Sequence, residues 1–156
     1  MLRPARLIWA NNLDRSSGVT LTRGGHSEPI DLTEVTAVFL SVVVGDLPQG
    51  MTDRPSEGPW LGVALQVRDA GGTWLPAAIL EPRYNMHAQE PWQAGPFASH
   101  ASVGQVLAAG SSHNGDKTVP MVLPPLARIR WDVRNWHRGA NRPVSFGRTV
   151  ISLYGR

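Results

Sequence analysis

The chain of 156 residues suits a single domain with a sizeable core. Hydrophobic residues make up 42% and charged ones 17%, and the absence of cysteine excludes disulfides, thiolate metal sites, iron–sulfur clusters and cysteine nucleophiles. The formal charge of +3 is unevenly spread: Lys117 to Arg156 holds eight basic residues and one acid, Asp132, whereas the first 116 residues hold seven basic and eleven acidic. Fourteen of the fifteen basic residues are arginine, whose guanidinium favours bidentate contact with carboxylate or phosphate. Such a split points to electrostatic contact between protein surfaces, with nucleic acid as the alternative.

Sixteen glycines and thirteen prolines divide the chain into short pieces, which suits strands and turns better than long helices. Leu7-Ile8-Trp9 predicts a first short strand. As an apolar patch it is too short for a signal-peptide core, and no later run approaches a membrane span, so a soluble chain without a cleavable signal is expected. Val19-Thr20-Leu21-Thr22 alternates and ends at Gly24-Gly25, so residues 1–29 read as an N-terminal strand arm on a domain covering 1–156. The β-branched run Val35 to Val44 predicts a central strand that stops at Gly45-Asp46.

The stretch from Gly45 to Pro59 reads as irregular. In Trp60 to Arg68, Leu61, Val63, Leu65 and Val67 share one face, with Gly62, Ala64, Gln66 and Arg68 on the other. Asp69-Ala70-Gly71-Gly72 then signals a hairpin, and Thr73-Trp74-Leu75 starts the return. From about 81 to 118, prolines and glycines interrupt every period, predicting a long irregular loop that carries Tyr84, Trp92 and Phe97. A loop of that length is expected to be functional or held by a partner. Downstream, Ile129, Trp131 and Val133 alternate with Arg128, Arg130, Asp132 and Arg134, and Val144 to Tyr154 closes the chain with a bulge expected at Gly147. Seven or eight short strands imply an all-β, antiparallel β-sandwich or jelly-roll-like domain.

No chemistry stands out. His87, His100 and His113 recur every 13 residues but fall in the irregular region, and no His-x-His or His-Glu-x-x-His pair exists. A nucleophile elbow is missing, Ser99-His100 are neighbours that a strand would point apart, and Glu81 with Glu90 are ordinary loop acids. The Gly-Gly pairs lack a phosphate-loop pattern and read as turns. Six tryptophans raise a carbohydrate-binding reading, for which Trp92 and Trp136 are the candidates; Trp60, Trp74 and Trp131 read as core or core-edge aromatics. Catalytic, cofactor and metal residues are therefore expected to be none. Interface residues are expected at Tyr84, Trp92 and Phe97 of the loop and at Arg128, Arg130 and Arg134 of the strand face.

The order of a strand, the hairpin Asp69-Ala70-Gly71-Gly72-Thr73-Trp74, a long loop, the strand Leu123-Pro124-Pro125-Leu126-Ala127-Arg128-Ile129-Arg130-Trp131-Asp132-Val133 and a last strand ending Ile151-Ser152-Leu153-Tyr154-Gly155-Arg156 resembles the small β-sandwich structural proteins of tailed bacteriophages. The likeness spans roughly residues 30 to 156 in pattern, and its motifs are short. The loop at 81–118 and the proline-rich insert at 46–59 are longer than the pattern needs. This resemblance implies a non-enzymatic virion protein, a decoration (cement) protein that stabilises a capsid lattice. A tail or head–tail connector component is the alternative, and a carbohydrate-binding module on the virion surface is another. It also implies the major capsid protein or other virion proteins as partners and a homo-oligomer, with a trimer favoured. Neither membrane nor nucleic acid is expected as a partner.

Overall fold

The computed structural model describes residues 5–12, 18–51, 57–80, 92–98, 103–104, 108–109, 119–120 and 125–156. Fourteen strands and no helix are present among them: β1 (Arg6–Ala10), β2 (Val19–Leu21), β3 (Gly25–His26), β4 (Ile30–Asp31), β5 (Ala37–Asp46), β6 (Gly58–Arg68), β7 (Trp74–Leu80), β8 (Trp92–Ala98), β9 (Val103–Gly104), β10 (Ala108–Ala109), β11 (Val119–Pro120), β12 (Leu126–His137), β13 (Ala140–Asn141) and β14 (Phe146–Gly155). The first sheet runs β1-β14-β5-β8-β10, with β2 also on β14. The second runs β13-β12-β6-β7, with β3 and β4 also on β12, and β9 and β11 form a small ladder of their own. Every pairing is antiparallel. The all-β sandwich expected from the alternation is what forms. The N-terminal strands belong to it, since β1 and β2 pair with β14 and β3 pairs with β12.

The inner faces follow the period of two. Val38, Leu40, Val42 and Val44 of β5 and Ile151 and Leu153 of β14 meet Leu61, Val63 and Leu65 of β6 and Ile129 and Val133 of β12 in one continuous apolar cluster. Burying each such side chain contributes roughly 1.5–3 kcal/mol against the entropy of ordering the chain. Trp131, on the inner side of β12, is only half-buried and packs at the margin of the core. It lies against Gly25, where a Cβ would stand 2.8 Å from its Cζ2, so Gly25 serves as a strand residue facing an indole and not as a turn.

Besides the register shift at Ile8 of β1, between Leu7↔Tyr154 and Trp9↔Leu153, three ladders contain bulges. The expected one falls at Gly147 and Arg148, which together oppose Thr20 between the pairs Phe146↔Leu21 and Thr149↔Val19. A second lies in β7, where Ala77 is the extra residue between Leu65↔Ala78 and Gln66↔Pro76. The third corrects the expected long loop over 81–118: its residues 92–98 form β8, a neighbour of β5 in the first sheet. Gly95 and Pro96, which interrupt the alternation, sit between Leu40↔Ala94 and Val38↔Phe97, so the two of them oppose Phe39 alone. A bulge is where a sheet accepts proline and glycine. The β6–β7 connection is the predicted hairpin: Gly72 donates to the Asp69 carbonyl, Asp69 Oδ1 accepts from the Thr73 amide at 2.7 Å, and Gly72 takes a φ of 85°.

Candidate docking face

The second sheet turns one face to the core and the other outward. Ten uninterrupted pairs between β6 and β12 fix the outward rows: Arg134 opposite Trp60, Asp132 opposite Gly62, Arg130 opposite Ala64 and Arg128 opposite Gln66. On the far side of β6, Ile79 stands opposite Ala64, Pro76 opposite Gln66 and Trp74 opposite Arg68. On the far side of β12, His26 stands opposite Arg130.

Tryptophan and arginine interleave on this face. Arg134 Cζ lies 5.3 Å from the Trp60 ring centroid, and the same guanidinium pairs with the Asp132 carboxylate. Arg128 Cζ lies 4.6 Å from the Trp74 ring centroid, while its Nε donates to Gln66 Oε1 at 2.7 Å. Arg68 approaches the same Trp74 ring at 5.8 Å and donates to the Gly72 carbonyl at 3.3 Å. Each guanidinium is thus held by an aromatic ring and by a polar partner, which limits its rotamers more than either contact alone. Trp60 is only 7% exposed, and its buried indole Nε1–H has no hydrogen-bond partner among the described residues.

Between the two indoles the sheet is low, because Gly62 lies beneath the Trp60 ring and Ala64 puts only a methyl above the backbone. The result is an open groove of about 430 Å³ lined by Trp60, Ala64, Gln66, Trp74, Ile79 and Arg130 among others. One bank is charged, the other apolar. Among the described residues, no group of three or more His, Asp and Glu is placed to hold a metal ion. Nor does any helix among them reach the length and apolarity of a membrane span.

The expected interface residues Arg128, Arg130 and Arg134 come together on this face. Tyr84 lies outside the described residues. Trp92 and Phe97 lie on β8 in the first sheet, pairing with Val42 and Val38, and so belong to a different sheet from the arginines. Sequence reasoning missed Trp60, Trp74 and Gln66. The signal for Trp60 was present, because its parity in β6 matches Gly62, Ala64 and Gln66 and not the core residues. Trp74 needed the register of the hairpin.

The fold and this face define an antiparallel β-sandwich with an arginine–tryptophan outer sheet. Compared with known proteins, the chain matches no family model, no curated protein and no solved structure.

Proposed function

We propose that this domain is a virion structural protein, a decoration or cement component that binds and stabilises the capsid lattice of a tailed bacteriophage. In this reading the outer face of the β13-β12-β6-β7 sheet does the binding. The observation that carries it is the ordered arginine–tryptophan array: tryptophan and arginine are the residue types that concentrate binding energy at protein interfaces, and here they sit on a rigid sheet in restrained rotamers. The sequence pattern from the Asp69–Trp74 hairpin to the terminal strand supports the phage setting. Many weak contacts repeated over a symmetric shell add up by multivalency, so a small domain need not bind tightly as a monomer. A homo-oligomer, a trimer first among the choices, would supply that repetition.

The sugar-binding alternative has less to stand on. Its two candidates are apart, Trp92 on β8 of the first sheet and Trp136 half-buried near the end of β12, opposite Gly58. On the outer face Trp60 is covered by Arg134 and Trp74 carries Arg128, where sugars need open aromatic faces. The test is made on purified particles with and without the protein. Particles lacking it should assemble normally and lose heat resistance, with the protein found on the shell at a fixed ratio to the major capsid protein. Unchanged shell stability together with a block in tail attachment would assign it to the connector instead.

A further inference from the structure

The arginines of the outer face are not equivalent. Arg68, Arg128 and Arg134 each have an aromatic ring and a polar partner. Arg130, in the middle of the same row, is exposed and has neither an ion pair nor a hydrogen bond among the described residues. Its place in the ladder is beside Ala64, and it lines the groove. The nearest acid on its own strand face, Asp132, is taken by Arg134. Among the described residues, the groove's other guanidinium, Arg134, is committed, and Arg130 presents one unmatched positive charge to the occupant.

The rest of the groove sets the occupant's shape. Ala64, with only a methyl above the backbone, lets a ligand chain approach the sheet closely. Pro76 and Ile79 offer apolar contact across from the arginine bank, and the indoles of Trp60 and Trp74 close the ends. About 430 Å³ lies within the range of roughly 300–1,000 Å³ usual for clefts that bury a ligand's polar group among apolar ones. We infer that this groove takes a short extended segment of a partner protein carrying one carboxylate flanked by apolar side chains, with the carboxylate paired to Arg130. The charge matches a carboxylate better than a polyanion: the bank offers one unpaired guanidinium and holds Asp132 beside it, which would repel a run of phosphates. The inference rests on reading this face as the docking face.

Two acetylated and amidated peptides, Leu-Ser-Glu-Ser-Leu and Leu-Ser-Gln-Ser-Leu, whose leucines share the face of the central residue in an extended chain, are titrated into the full-length isotope-labelled protein and followed by NMR. The glutamate peptide should shift the backbone amides of Gly62 and Ala64 and the indole N–H signals of Trp60 and Trp74 saturably. The glutamine peptide should bind about tenfold more weakly, and Arg130→Gln should cost the glutamate peptide about the same factor, the worth of one charge-assisted hydrogen-bonded contact. Arg142→Gln, an exposed arginine outside the groove, should bind as the unaltered protein does. Equal binding of the two peptides, full binding by Arg130→Gln, or no shift at these four positions overturns the inference. Tighter binding of single-stranded oligothymidylate at the same resonances also overturns it, in favour of a nucleic-acid phosphate. The peptide result is independent of particle location, so a protein absent from virions could still pass this test, and a true cement protein could fail it.

Discussion

The Trp60 ring lies directly on Gly62, two residues along the same strand face, so that a Cβ at Gly62 would stand 2.8 Å from Cζ2 and 2.9 Å from Cζ3 of the indole. That contact seats the ring on the sheet under Arg134. Gly62→Ala must push the indole aside, and we expect it to destabilise the fold by about 1–3 kcal/mol, the usual range for overpacking. The near-UV circular dichroism of the tryptophans should change with it. An unchanged spectrum and an unchanged denaturant midpoint would show that the ring yields freely.

Asp46 and Arg148 form a two-pronged pair across β5 and β14, with Arg148 Nε and Nη2 donating to Oδ2 and Oδ1 at 2.9 and 2.8 Å. The hydrogen bond from Arg148 holds the Asp46 carboxyl below the usual carboxylate range, with desolvation acting the other way and the Arg148 charge adding to the lowering. A depressed folded-state pKa means stabilisation that is complete above the unfolded carboxylate value of about 3.9 and is lost as pH falls through the folded value. Asp46→Asn should therefore melt below the unaltered protein at neutral pH, and the gap should close in acid, below about pH 4. Both groups are exposed, so the gap should also shrink with added salt. Thermal melts across pH at low ionic strength check this; a gap constant down to the acid limit would mean that the pair contributes through something other than charge.

Ser152 is 1% exposed, and its hydroxyl has no hydrogen-bond partner among the described residues. It faces Ser41 across the β14–β5 ladder. Removing a buried hydroxyl that makes no bond relieves its desolvation, so Ser152→Ala should stabilise the protein by about 1 kcal/mol in chemical denaturation. Destabilisation by a similar amount would reveal a partner for the hydroxyl.

Glu34 adopts a φ of 66° in the turn closed by the Val35 amide donating to the Leu32 carbonyl at 3.0 Å. A side chain at the third position of such a turn is strained where glycine is not. Glu34→Gly should raise stability by about 0.5–1 kcal/mol, part of the gain being offset by the freer unfolded chain. Comparing Glu34→Gly with Glu34→Ala isolates the backbone effect, because the alanine variant should show no gain.

Much of the fold was legible because alternation writes itself into sequence. Leu61, Val63, Leu65 and Val67 against Gly62, Ala64, Gln66 and Arg68, and Ile129 and Val133 against the arginines, distinguish core from surface without any knowledge of neighbours. The Asp69–Gly72 turn was legible for the same local reason, since its glycine and its capping carboxylate act within five residues. β8 was not, because Gly95 and Pro96 are tolerable only as the two residues opposing Phe39, and that depends on a strand more than fifty residues away.

The arginine–tryptophan face divides along the same line. By itself the sequence determined that Arg128, Arg130, Asp132 and Arg134 share a face and that Gly62, Ala64 and Gln66 share one opposite Leu61 and Val63, because a period of two assigns sides; Trp60 has that parity too, but its size marked it as core. Only the tertiary structure decided that these two faces are one, that Arg128 and Arg134 are occupied by Trp74 and Trp60, and that Arg130 has no ion pair or hydrogen bond among the described residues. The reason is physical: alternation states which way a side chain points, but its neighbour is set by strand register, and register is fixed by long-range pairing and packing that no local stretch of chain contains.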